Sequence, residues 1–352
     1  MKGLLKFIKN RSVVLLGVWL TCLIGLQGCQ AEDSFPVLDN TPYKLSIPAG
    51  LPKMPIPDNN DLTQARVEFG KLLFYDPLLS RDSSLSCASC HVQHEAFADK
   101  NPISVGIEGR TGLRNVPSII NVGYHPYFFA EGGSPSLEQQ LIGPIEDPNE
   151  MGFNARELVL RLMGRRKYED WAWKAYGRSL DMFVISHSLA SFERTLIAAN
   201  SPYDQALNGD STVMSPSQWR GYELFFSDRV GCGGCHPAPL FTNFKLENIG
   251  QYKTYEDKGR YRVSLKEEDI GKFKIPSLRN VALTAPYFHD GSHTSLDEVI
   301  EHFNLGGLGH PNQSPAIRPL GLSRSEKEDL KAFLVALTDS SILSEAKWAP
   351  NR

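Results

Sequence analysis

Apolar residues recur at three- and four-residue intervals in several stretches of the chain, the spacing of a helix with one buried face. Leu62, Ala65, Phe69 and Leu72-Leu73 predict a helix that Asp61 caps and Pro77 ends. Trp219, Tyr222 and Phe225-Phe226 repeat the pattern between Ser217 and Ser227. Further helices are predicted over residues 155–164, 181–200 and 325–337. Strand-like alternation is scarce, so the chain reads as mostly α. Two stretches depart from this. Residues 30–60 are proline-rich (Pro36, Pro42, Pro48, Pro52, Pro55, Pro57) and lack a clear apolar period, which predicts a tether that wraps the protein or spaces it from a membrane. Val13 to Leu26 is an apolar run behind Lys2, Lys6, Lys9 and Arg11. It is short of the roughly 20 residues a bilayer span needs and has the length of an export-signal core.

The run ends in Leu26-Gln27-Gly28-Cys29, which resembles the bacterial lipobox. Residues 1–28 then read as a lipoprotein signal peptide and Cys29 as the lipidated residue, anchoring residues 29–60 to a membrane. Gln30, rather than Asp, after the cysteine implies the outer membrane. The other reading is an ordinary signal peptide with an incidental cysteine.

Composition narrows the picture. The chain has 352 residues, 41% hydrophobic and 22% charged, which is globular usage and excludes a disordered chain, a fibre or a multi-span membrane protein. At roughly 100–200 residues per domain, two or three domains are expected. A formal net charge of −3 argues against binding nucleic acid through bulk charge. Of the six cysteines, Cys22 falls in the signal and Cys29 at its end. The remaining four spell Cys87-Ala88-Ser89-Cys90-His91 and Cys232-Gly233-Gly234-Cys235-His236. C-x-x-C-H is the attachment sequence of c-type haem: the thiols form thioethers to the porphyrin and the histidine takes the iron from one face. Two such motifs using every remaining cysteine form a strong signal. The rivals are two disulfides or a zinc site of Cys and His ligands.

An echo follows each motif. Pro117-Ser118-Ile119, Asn121-Val122, Phe128-Phe129, Gly132 and Ser136-Leu137 return, without a gap, as Pro276-Ser277-Leu278, Asn280-Val281, Tyr287-Phe288, Gly291 and Ser295-Leu296. The direct reading is a duplication. One unit spans residues 61–210, up to the linker Asn208-Gly209-Asp210-Ser211, and the second spans 211–345.

Residues 60–340 resemble the bacterial di-haem cytochrome c peroxidase family, which includes the MauG-type enzymes. The resemblance is carried by Leu72-Leu73-Phe74-Tyr75-Asp76-Pro77, Arg114-Asn115-Val116-Pro117-Ser118, the stretch from Gly143 to Gly152, and that from Leu278 to Gly291. It implies two cytochrome c-like domains, each with one covalent haem. The N-terminal haem meets hydrogen peroxide and the C-terminal haem stores or relays an oxidising equivalent. It assigns Glu150 as the acid/base and Gln140 as its polar neighbour, since cleaving the O–O bond requires moving a proton from one oxygen to the other. On the residues alone, Glu150 reads instead as a first-turn glutamate of the helix expected from Asn154. The resemblance also implies one calcium ion between the domains, at Asn115, Thr284 and Pro286, where hard oxygen ligands and water suit that ion. Asn115 could equally stabilise its own turn. His289 is expected to reach a propionate of the second haem.

The chain departs from the family pattern at three positions. Ile107 stands where peroxidase-branch members carry a ligating histidine, so the first haem is expected to be five-coordinate and open, as in the MauG branch. Ala130 stands where the family places a tryptophan between the haems, twenty positions before the glutamate. Phe303 occupies the position of the second haem's distal Met or Tyr, and no methionine lies beyond Met214. His302 is the nearest substitute, His310 its rival, and no protein ligand the third option.

Three functions follow from the resemblance. The first is removal of hydrogen peroxide with electrons from a small periplasmic cytochrome or cupredoxin. The second is peroxide-driven oxidation of aromatic side chains on a partner protein, as MauG-type enzymes do. The third, without catalysis, is surface electron transfer. Homodimers occur among such relatives.

Overall fold

Short polar residues set where the helices begin. Thr63 accepts a hydrogen bond from the Arg66 N–H and starts α1 (Gln64–Phe74). The predicted cap Asp61 lies two residues early and gives its backbone carbonyl to Arg66 Nη1 instead, at 2.8 Å. Asn154 caps α2 (Ala155–Met163), which α3 (Arg166–Tyr176) follows closely. Asp181 caps α4 (Met182–Glu193). Reciprocal bonds between Ser215 and Gln218 open α5 (Pro216–Phe225). Ser295 caps α6 (Leu296–Leu305), and Ser323 with Glu326 opens α7 (Arg324–Ala336). This computed structural model describes residues 35–350; the apolar leader, Cys22 and Cys29 lie outside the described residues. The only strands among them are β1 (Leu246–Glu247) and β2 (Phe273–Lys274), an antiparallel pair.

From Pro36 onward the chain forms one compact unit, whose apolar core divides into two main clusters. In the first, α1 packs on α4 around Phe69, Phe74 and Phe192, all fully buried. In the second, α5 packs on α7 around Phe225, Phe241 and Phe333. Burying each such ring contributes about 1.5–3 kcal/mol. Both crossings are made at a glycine. A Cβ on Gly70 would lie 1.9 Å from the Ser188 carbonyl oxygen, and one on Gly221 would lie 1.9 Å from that of Asp329.

The sequence echo is also a backbone echo. Asn121 and Asn280 both adopt left-handed φ, at 59° and 60°. Asn121 exchanges side-chain bonds with the Ala198 backbone, as Asn280 does with that of Asp339. The bridges Phe128–Ser134 and Tyr287–His293 repeat at the same offset. These contacts explain why α4 stops at Glu193 rather than running to residue 200. Leu196 and Ala198 give their carbonyls to Asn121, so tertiary partners replace helical ones.

Residues 36–60 wrap the protein. Met54 is buried with Tyr124 and Ile197, against Leu240 and Phe244. The carboxyl end returns to the first cluster through Ile342 and Trp348.

Candidate active site

Each C-x-x-C segment forms one helical turn, Cys87–Cys90 and Cys232–Cys235, which places both thiols on one side ahead of the histidine. All four thiols are free, and no group of three or more His, Cys, Asp or Glu gathers anywhere among the described residues. Disulfides are therefore absent from both motifs. Burial pushes all four thiols up, Cys232 to about 11. His91 Nδ1 lies 3.1 Å from the Phe97 carbonyl, and His236 Nδ1 lies 2.9 Å from that of Phe241. A carbonyl only accepts, so both rings carry their proton on Nδ1 and leave Nε2 as a free lone pair. That is the tautomer and orientation an iron-ligating histidine needs. Burial keeps both rings neutral, His236 down to about 4. The donor set and its chemistry fit a thioether-linked haem at each motif.

Glu150 closes a tight turn near the first motif. Its N–H bonds to the Asp147 carbonyl (3.0 Å), and its own carbonyl takes the Ile107 N–H (2.9 Å). Glu150 is exposed by surface area, yet protein atoms crowd around its carboxyl. That crowding costs the carboxylate solvation and, with the Asp147 carboxylate second, raises the carboxyl to about 7. Its charge raises both the Cys87 and the Cys90 thiols, which puts it within electrostatic reach of the first attachment site. It stands ahead of the Asn154 cap, and Glu157 is the glutamate of the first turn of α2. The helix-dipole explanation of Glu150 therefore fails. Ile107 is 1% exposed and lies beside this turn; a Cβ on Gly152 would meet its Cδ1 at 2.4 Å. Gly106 permits that approach, since its Cβ would lie 2.0 Å from the Asn149 carbonyl oxygen.

Gln140 ends a single helical turn, Leu137–Gln140, capped by Ser136. Glu138 in that turn is buried and accepts from Arg194 Nη1 (2.6 Å) and Asn60 Nδ2 (2.8 Å). The wrapping segment and the end of α4 thus both fix the turn that carries Gln140. Phe129 covers the next turn, where a Cβ on Gly143 would meet its ring at 2.7 Å.

The second motif has different surroundings. His302 Nε2 donates to the Ile249 carbonyl at 3.1 Å, a bond that iron ligation through Nε2 would break. His310 Nδ1 accepts from the Asn312 backbone N–H (3.0 Å) and lies 3.2 Å from Asn248 Nδ2. A backbone N–H can only donate, so the proton of neutral His310 sits on Nε2, and that nitrogen has no lone pair to offer. Phe303 packs near Phe288 and His302. His289 stacks on Phe273 at 4.0 Å and bonds Gln251 through Nδ1. Asn115 is drawn to the segment holding Thr284 and Pro286: its N–H bonds to the His289 carbonyl at 2.8 Å. Its Nδ2 bonds to the Asn101 and Pro102 carbonyls.

The family described as Di-haem cytochrome c peroxidase matches residues 64–212. Cytochrome-c peroxidase IdrP1 of Pseudomonas sp. (strain SCT) is 32% identical over 328 residues, covering 84% of this chain and 86% of that protein. The chain belongs to the di-haem cytochrome c peroxidase family. Methylamine utilization protein MauG of Methylorubrum extorquens is 34% identical, covering 81% of each chain. The crystal structure of a MauG-like protein associated with microbial copper homeostasis superposes with a TM-score of 0.83 at 30% identity, over 88% of this chain and 99% of that one. This di-haem peroxidase family member is accordingly a mostly helical, cytochrome c peroxidase-like oxidoreductase with two c-type haems.

Sequence reading missed the carbonyls of Phe97 and Phe241, because a backbone partner leaves no residue-type signal. A spacing signal was present: an F lies six residues after the first histidine and five after the second.

Proposed function

We propose that hydrogen peroxide reacts at the haem held by Cys87, Cys90 and His91, and that electrons reach it through the haem held by Cys232, Cys235 and His236 from a periplasmic redox protein. The observation that carries this reading is Glu150, a carboxyl raised to about 7 within reach of the first motif. When bound, the first haem supplies the iron that takes up peroxide and the electrons that reduce it. Glu150, half ionised near neutral pH, accepts a proton from one peroxide oxygen and returns it to the other, so that water leaves. Gln140 orients the peroxide by hydrogen bonding. Ile107 keeps that face apolar and offers no ligand.

The rest of the reading concerns assembly. Residues 61–210 and 211–345 are the two haem domains. Asn115 Oδ1 with the carbonyls of Thr284 and Pro286 binds one calcium ion. His302 is the sixth ligand of the second haem only if its bond to Ile249 opens. Cys29 carries lipid and holds the exported protein at the outer membrane, as a monomer or homodimer.

A MauG-type role is the second reading, favoured by the buried Ile107 beside Glu150 and by the 34% identity to MauG. Stopped-flow mixing of the ferric holoprotein with peroxide tests the shared step. Glu150→Gln should slow it by about 10²–10⁴-fold. Turnover with a reduced cytochrome, set against mass changes in a co-encoded partner protein, then separates the two roles.

A further inference from the structure

Between the two cores, a lysine and a histidine meet without a carboxylate between them. Lys274 Nζ lies 3.0 Å from His125 Nδ1 and donates to the Tyr127 carbonyl at 3.1 Å. The Lys274 N–H also bonds to the Ala130 carbonyl at 2.7 Å, so β2 from the second half is stitched to the 125–130 loop of the first. The His125 ring packs on Phe244 (5.0 Å) and Phe128 (6.2 Å).

Two basic groups at 3.0 Å hold one proton comfortably and not two, because the second would set like charges together in a poorly solvated place. Lys274 is the donor and His125 the acceptor. Burial, then the Lys274 charge, pushes His125 well below its ordinary value. Burial pushes Lys274 down to about 8, opposed by Glu131. The other charged or titratable groups around the pair are already engaged or lie on neighbouring elements. Glu131 is ion-paired with Arg114, and Arg260 Nη1 holds the Glu131 and Gly132 carbonyls. The Tyr127 hydroxyl donates to the Phe244 carbonyl. Lys245 and Glu247 flank Leu246, which is in register with Lys274.

The pair is tied to the second histidine along two paths. Lys274 precedes Pro276, whose carbonyl bonds the His236 ring, and Phe244 follows Phe241, whose carbonyl holds His236 Nδ1.

We propose that the His125–Lys274 pair carries one exchangeable proton that follows the electron at the second haem. One electron from the donor protein enters and one proton from solvent binds the Lys274 amine; when the electron leaves, the proton leaves. Positive charge gained on oxidation disfavours the ammonium, so the pair is charged in the reduced state and neutral more often in the oxidised one. The pair is a positioning element for charge, not a catalytic group. It rests on the two-haem reading alone, so a protein inert to peroxide would still show it.

The test is spectroelectrochemical titration of the holoprotein from pH 6 to 10, comparing wild type, Lys274→Met and Lys274→Arg. In the wild type the second haem's potential should fall with rising pH, by up to tenfold in the redox equilibrium per pH unit, about 59 mV for one electron. Lys274→Arg, always charged, should hold the high acid-limb potential at every pH. Lys274→Met should be flat and low. If the methionine variant fails to retain haem, the arginine variant decides. A wild-type potential that ignores pH, or an arginine variant that titrates like the wild type, overturns the proposal.

Discussion

His91 and His236 are held alike, each by a phenylalanine carbonyl a few residues on, yet the chain sets different groups near them. Adding the offset of 159 that separates Pro117 from Pro276 carries Gln140 onto Val299 and Glu150 onto Gly309. The second half therefore has no amide and no carboxyl at the places where the first half carries its polar pair. It has His302 and His310 instead, and both spend a ring nitrogen on protein partners. The proximal scaffold is repeated, and the amide and carboxyl pair stands in one copy. That division is what the proposed function, one haem reacting and one conducting, would require.

Buried ion pairs give the sharpest way to break this comparison. Each core cluster has one beside it, Arg194–Glu138 at the first and Arg279–Asp204 at the second, where Tyr203 and Ala206 next to Asp204 are packed. The second is bidentate, with both contacts at 2.9 Å, whereas Arg194 leaves its buried Nε without a partner. Removing either carboxylate strands a buried arginine, at a cost of about 3–5 kcal/mol. Asp204→Ala should lie at the top of that range and Glu138→Ala at the bottom, read from denaturant unfolding of the holoprotein. Only Glu138→Ala should also slow the peroxide reaction, because only Glu138 holds the turn of Gln140. Equal kinetic effects would contradict the division of labour.

The two glycine crossings sharpen the likeness rather than the difference. Gly70→Ala and Gly221→Ala each drive a methyl into a carbonyl oxygen and should each destabilise by about 1–3 kcal/mol or more. Thermal unfolding followed by helical circular dichroism reads this, and a loss in only one variant would show that the scaffolds are not equivalent. The smallest effect belongs to the surface. Arg166→Ala, which removes the exposed pair with Asp170, should cost about 0.3–0.5 kcal/mol and leave peroxide kinetics unchanged.

Much of this was legible beforehand. The helix that became α1 was visible in its apolar spacing, and both attachment motifs in two cysteines and a histidine at fixed spacing. The echo from Pro117 to Leu137 marked the duplicated turns. Other features depend on partners distant in sequence. The early end of α4 follows from Asn121, more than seventy residues upstream. α3 and α6 escaped because their apolar faces are broken by aromatic and charged residues that pack only in context. His302 and His310 were candidates by residue type; their proton positions depend on Ile249 and Asn312, which no spacing rule reveals. Lys274 and His125 were unremarkable until the fold brought them to 3.0 Å.

The central claim is that Glu150 makes the first half reactive. The pH dependence of the second-order rate of the ferric holoprotein with peroxide tests it most directly. A carboxyl raised to about 7 is protonated below that pH and able to accept a proton above it. The rate should therefore climb as pH rises through about 7 and level off, and Glu150→Gln should be slow and flat across the same range. A Glu150→Gln protein that reacts as fast as the wild type, with the same rise near pH 7, would contradict the account.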